Sequence, residues 1–106
     1  MMSTNVEEQI NYLASLVAAL RSSWDEGSVH VARIQTDRVL SFADSLEQIP
    51  DIGSSKSDCY AGLWIVRNSG EHLREILNHP GLDKSAFEAA LSFVESGVEQ
   101  MLRGIA

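Results

Sequence analysis

The chain predicts an all-α fold, a four-helix up-down-up-down antiparallel bundle formed by one domain of 106 residues. Three observations lead there. In the first segment Val6, Ile10, Leu13, Val17, Leu20 and Trp24 recur at spacings of 4-3-4-3-4, and Phe87, Leu91, Val94, Val98, Met101 and Ile105 repeat that spacing in the last. At about 3.6 residues per turn each set makes one narrow apolar stripe on a helix, which needs apolar partners to be stable. Polar, Gly and Pro breaks at 25–28, 50–57 and 79–82 divide the chain into four segments of similar length, about 4–24, 29–48, 58–78 and 83–105. Two of the connections are short, so consecutive helices should be antiparallel neighbours crossing at about 20°. The alternative arrangement is a pair of helical hairpins exchanged between the chains of a dimer.

Each element has a local reason. Thr4 and Glu7 form a capping box at the start of the first helix. Asp25-Glu26-Gly27-Ser28 is a tight polar break, with Ser28 as cap for the second helix. On that helix Val31, Ala32, Val39, Phe42, Ala43, Leu46 and Ile49 fall within one third of the wheel, with Gln35 among them. A buried amide needs partners, so Gln35 is expected to fix register. Pro50, Gly53 and three serines make 50–57 the one long connection. The third helix places Cys59, Leu63, Val66, Leu73, Ile76 and Leu77 on its core side, together with Gly62 and Gly70. Glycine costs a helix about 1 kcal/mol against alanine, so two on the packed side imply a close backbone. His79-Pro80-Gly81 ends that helix, and Leu82 with Phe87 forms a hydrophobic staple on the fourth, which begins at Asp83. Arg103 suits the dipole of its last turn.

Composition excludes several classes. No uninterrupted apolar run reaches the twenty or so residues of a membrane span, so no membrane partner is expected. Met1-Met2-Ser3-Thr4 lacks the basic-then-apolar order of a secretory signal. A single cysteine, Cys59, forms no internal disulfide, and a cytoplasmic setting is expected. The net charge of −7 repels a phosphate backbone, so nucleic acid is not expected either; it suits solubility or a basic protein partner.

The third helix carries the unusual surface. Tyr60, Trp64, Arg67, Glu71 and Arg74 run along the side opposite the core, where a bundle helix should be purely polar. Tyrosine, tryptophan and arginine dominate the energetic centres of protein interfaces. These five residues are therefore the expected partner-binding site, with homodimerisation through the aromatic stripe. Glu88, Glu95 and Glu99 share an outer face of the last helix and are expected to steer a basic partner.

Catalytic and metal patterns are sparse. His72, Glu75 and His79, at i, i+3 and i+7, have metal-ligand spacing, but they face outward with no supporting shell, and no Asp or Glu falls on a core stripe. No cofactor, metal or catalytic residue is expected. Arg67-Asn68-Ser69-Gly70-Glu71-His72 has the form Arg-x4-His and resembles the active-site motif of the HEPN ribonucleases, small all-helical dimers. The resemblance implies a metal-independent ribonuclease in which Arg67 stabilises phosphate charge and His72 transfers protons at a dimer cleft. It covers six residues, and where that family has a tyrosine two places after the histidine this chain has Arg74. His30-Val31-Ala32-Arg33-Ile34 is similar to the His-x-x-Lys-Gly motif of phosphotransfer domains but lacks the glycine. The function expected from the residues is a small acidic protein-binding module, an adaptor, regulator or neutraliser of a basic or toxic partner, and not an enzyme.

Overall fold

The apolar spacing is realised as four long helices and one short one in a computed structural model that describes residues 4–105. They are α1 (Thr4–Asp25), α2 (Val29–Glu47), α3 (Pro50–Gly53), α4 (Tyr60–Asn78) and α5 (Lys84–Gly104). No strand occurs among the described residues. No helix among them is long and apolar enough to cross a membrane. The Thr4 side chain lies outside the described residues, and so does the capping box expected there.

The long helices close a ring. α1 packs on α2 and α5, and α4 packs on α2 and α5. Partner residues run in opposite directions at each contact. As α2 advances from Asp37 through Leu40 to Asp44, its partners on α4 retreat from Arg74 through Gly70 to Arg67. On α5, Gly97 and Met101 lie against Gly62 and Cys59. The end of α1 meets the start of α5 at Trp24 and Phe87. Tyr12 meets Phe42 far from the turn that joins α1 to α2. Neighbouring long helices are thus antiparallel, and the core closes within one chain.

Both heptad stripes point inward. Ile10, Leu13, Leu20, Phe87, Leu91 and Val94 are fully buried, while Trp24 is partly covered. The start of α5 follows its local signals. Asp83 occupies the cap, and its side chain accepts a hydrogen bond from the Ala86 N–H at 3.0 Å. Leu82 packs against the core that contains Phe87, as a staple requires. Gly27, at φ +78°, makes the α1–α2 turn in a left-handed conformation that other residues adopt only with strain.

Five sequence expectations are corrected. Ser28 stands at the cap of α2, but its side chain makes no capping bond. The 50–57 connection contains α3, because Pro50 at the first helical position presets the turn and Ile52 is fully buried as its anchor. The rotation of α2 also differs: Val31 is 39% exposed, whereas Thr36 and Leu40 are buried. Gly70 explains Leu40, since a Cβ on Gly70 would meet the Leu40 side chain at 2.7 Å. Thr36 tolerates burial because its hydroxyl donates to the Ala32 carbonyl of its own helix at 2.8 Å. Gln35, expected to fix register through a paired amide, leaves its buried Oε1 without a hydrogen-bond partner among the described residues. Of the two core glycines on α4, Gly62 does meet a backbone, that of Gly97 on α5, while Gly70 meets only a side chain.

Candidate functional site

The five residues singled out on the third segment share the outer flank of α4, at the rim it forms with α2. Helical spacing alone places them there, at i, i+4, i+7, i+11 and i+14 from Tyr60. Trp64 is 57% exposed, Tyr60 is half-buried, and Glu71 is exposed.

The two arginines are held by carboxylates. Arg67 donates from Nε to Asp44 Oδ1 at 3.1 Å and from Nη1 reaches Glu47 Oε2 at 2.8 Å. Arg74 donates from Nε to Asp37 Oδ1 at 3.2 Å and lies 3.4 Å from Glu71 Oε2. One helical turn beyond, Arg33 of α2 donates to Asn78 Oδ1 and to the Leu77 carbonyl at the end of α4. That carbonyl is one of the groups a helix C-terminus leaves unpaired. The α2/α4 rim is therefore a ladder of paired charges in which Trp64 is the exposed apolar element. Exposed pairs of this kind contribute little to stability, but they hold the guanidinium groups in place.

The acidic residues expected to steer a partner are engaged differently. Arg21 of α1 donates two bonds to Glu95, from Nε at 3.1 Å and from Nη2 at 2.6 Å, and one to Glu88 from Nη1 at 2.6 Å. The Trp24 indole N–H donates to the other Glu88 oxygen at 2.8 Å. Hydrogen bonding to Glu95, above all, raises the already high pKa of Arg21, so its charge is permanent. Glu88 and Glu95 thus clamp α1 to α5, and Glu99 stands apart beside Arg103 at 4.0 Å. The expected acidic stripe is a structural fastening for two of its three members.

Glu88 makes the fastening sensitive to acid. Its carboxyl is held below the ordinary glutamate range, first by the Arg21 hydrogen bond and then by that of Trp24. A carboxyl whose pKa is depressed by folding adds stability above its unfolded pKa and loses it as pH falls through the folded value. Glu88→Gln should therefore narrow the drop in urea midpoint between about pH 7 and about pH 3. An equal drop in wild type and variant would show that Glu88 is not coupled to folding.

The catalytic and metal patterns do not assemble within the chain. Arg67 faces Asp44 and Glu47 of α2, whereas His72 borders a cleft formed with Asp83 and Ala86 near the start of α5. The two side chains look toward different neighbours, and the arginine is already neutralised. His72 Nδ1 lies 3.9 Å from Glu75, both largely exposed. Among the described residues no group of three or more His, Cys, Asp or Glu side chains is placed to hold a metal ion. Cys59 is fully buried, with its Sγ 3.6 Å from the Met101 carbonyl, and burial raises its thiol pKa. It behaves as part of the core.

One surface was absent from the sequence expectations. Tyr12 of α1 and Phe42 of α2 meet edge to face over the α1/α2 seam, with ring centroids 4.8 Å apart. Leu16 is partly covered and packed against the core, and Arg38 lines the cleft beside the two rings. The available signal was a second stripe one residue ahead of the α1 core stripe, Tyr12 before Leu13 and Leu16 before Val17.

Set beside family models, curated proteins and solved structures, the chain matches none of them.

Proposed function

We propose that this protein acts by binding protein, with the outer face of α4 as its contact surface and a second copy of the chain as its partner. The observation that carries the proposal is Trp64, 57% exposed in the interior of a long helix and flanked by immobilised charge pairs. Covering that indole would contribute about 2 kcal/mol from its apolar area alone. Arg67 and Arg74 are already held, so a partner loses little side-chain freedom in meeting them. The face carries both signs, so identical surfaces can be charge-complementary across a two-fold axis. Asp37, Asp44, Glu47 and Glu71 of one copy can then meet arginines of the other. The proposal assigns the chain no catalytic step and no cofactor.

Net charge sets the salt dependence. Two copies at −7 each repel one another, so dimerisation driven by apolar burial should strengthen as added salt screens that repulsion. A basic partner would show the opposite trend. Sedimentation equilibrium of the wild type and Trp64→Ala tests both points. The wild type should form a dimer whose affinity rises with salt, and the variant should associate about tenfold more weakly or worse while keeping its helical content. A wild-type chain that stays monomeric at every concentration, or a variant that dimerises equally well, would sink the proposal.

A further inference from the structure

One cleft over the α1/α2 seam has an unusual lining for a chain of net charge −7. The cleft, of about 390 Å³, is lined by Tyr12, Leu16, Arg38, Ser41, Phe42 and Ser45, with no carboxylate among them. Tyr12 is 54% exposed. On α2 the apolar line continues from Phe42 past Arg38 to Ile34 and Val31, both exposed and spaced by three or four residues.

Arg38 stands in the middle of this line. The other arginines are engaged: Arg21, Arg67, Arg74 and Arg103 lie beside carboxylates, and Arg33 donates to Asn78 and Leu77. Arg38 has no ion pair and no hydrogen bond among the described residues. In a chain of net charge −7, an unneutralised guanidinium within an apolar groove favours an apolar body that brings a carboxylate. The groove lies between two antiparallel helices whose backbone groups are satisfied internally, so an extended strand has nothing to pair with, whereas a third helix fits along the seam.

We propose that the α1/α2 groove receives an acidic amphipathic helix of another protein. Apolar side chains of that helix would cover Tyr12, Phe42 and Ile34, and its carboxylates would pair with Arg38. The groove opens on the α1 side of α2, and the rim that carries Trp64 opens on the α4 side. Both surfaces can be occupied together, which makes the chain a two-sided adaptor.

The test uses the full chain, labelled with ¹⁵N, and three synthetic peptides of about 18 residues. One carries leucines at helical spacing flanked by glutamates, the second replaces glutamate by lysine, and the third scrambles the first. The acidic amphipathic peptide should bind saturably and shift the amide signals of Tyr12, Arg38 and Phe42. Arg38→Glu should weaken it about tenfold or more, Arg38→Gln should weaken it less, and Trp64→Ala should leave it unchanged. Because Arg38 is exposed, both its variants should keep the wild-type dispersion of amide signals. Absence of saturable binding, equal binding of the lysine or scrambled peptide, or indifference to both Arg38 substitutions would overturn the proposal. So would Arg38-dependent binding to phosphatidylserine vesicles in place of the peptide, which would mark a membrane surface. Because Trp64→Ala should not affect this site, its failure is distinguishable from failure of the α4 contact.

Discussion

Phe87→Ala should cost the fold about 3–5 kcal/mol, the largest single-residue effect expected in this chain. Phe87 is fully buried at the first full turn of α5 and stacks on Trp24 with ring centroids 3.9 Å apart and planes 27° from parallel. Truncation removes the transfer free energy of the ring and leaves a cavity that four helices, anchored elsewhere, cannot fully collapse. It also removes the face against which Trp24 rests. Trp24 in turn donates to Glu88, which holds Arg21, so the end of α1 and the start of α5 should loosen together. For a domain near this size, such a loss lowers Tm by more than about 10 °C. Urea unfolding should show a lower midpoint with an unchanged slope. On a Trp64→Phe background, Trp24 emission should shift to the red in the folded baseline. A Tm within a few degrees of wild type would mean that Phe87 is not the anchor of this corner.

Gly62→Ala is the second large effect, and its sign runs against helix propensity. Alanine in a helix interior should stabilise by about 1 kcal/mol relative to glycine. Here the added methyl would stand 2.5 Å from the Gly97 carbonyl oxygen and 2.9 Å from the Met101 amide nitrogen. Both obstacles are backbone, so relief requires α4 and α5 to move apart along their contact. Overpacking of that kind costs about 1–3 kcal/mol and more where nothing can yield, so the steric term should win by about 2 kcal/mol. Gly97→Ala should behave alike, since its Cβ would meet the Gly62 carbonyl oxygen at 2.8 Å. Gly81→Ala is the control: no atom lies within 4 Å of a Cβ there, and stability should be nearly unchanged. Urea midpoints of the three variants decide the matter. If Gly62→Ala is as stable as Gly81→Ala, the close approach of α4 and α5 is wrong.

Much of the fold was legible because it depends on local order. The stripes of α1 and α5, the Gly27 turn, the Asp83 cap with its Leu82–Phe87 staple and the stop at Pro80 follow from residues within one or two turns of each other. The outer position of Trp64 follows equally from spacing. The short helix α3 was missed because Pro50 and Gly53 read as turn residues, and only the burial of Ile52 shows that the turn is wound into a helix and pinned.

The candidate surfaces were less legible. Arg67 and Arg74 belong to the α4 flank by spacing, yet whether they are free depends on Asp37, Asp44 and Glu47, which lie twenty or more residues from the arginines they meet. Glu88 and Glu95 read as an outer acidic face that would steer a basic partner, but Arg21 of α1 already meets them. The Tyr12–Phe42 groove was missed for the same reason, since Phe42 by itself reads as part of the apolar arc of α2 and only the packing brings Tyr12 of α1 to it.

The order of residues determined by itself that this chain makes four long helices, roughly where each of those begins and ends, and the core stripes of α1 and α5. Helical period is a property of neighbours in the chain, and burying the stripes is the largest favourable term. Only the tertiary structure decided how far each helix is rotated about its axis, and with it the choice of Leu40 over Val31 for the core, the meeting of Gly62 with Gly97, and which arginine is left without a partner among the described residues. Those outcomes turn on shifts of a few ångströms between segments distant in sequence, where the shape of one side chain, or its absence at a glycine, settles the packing.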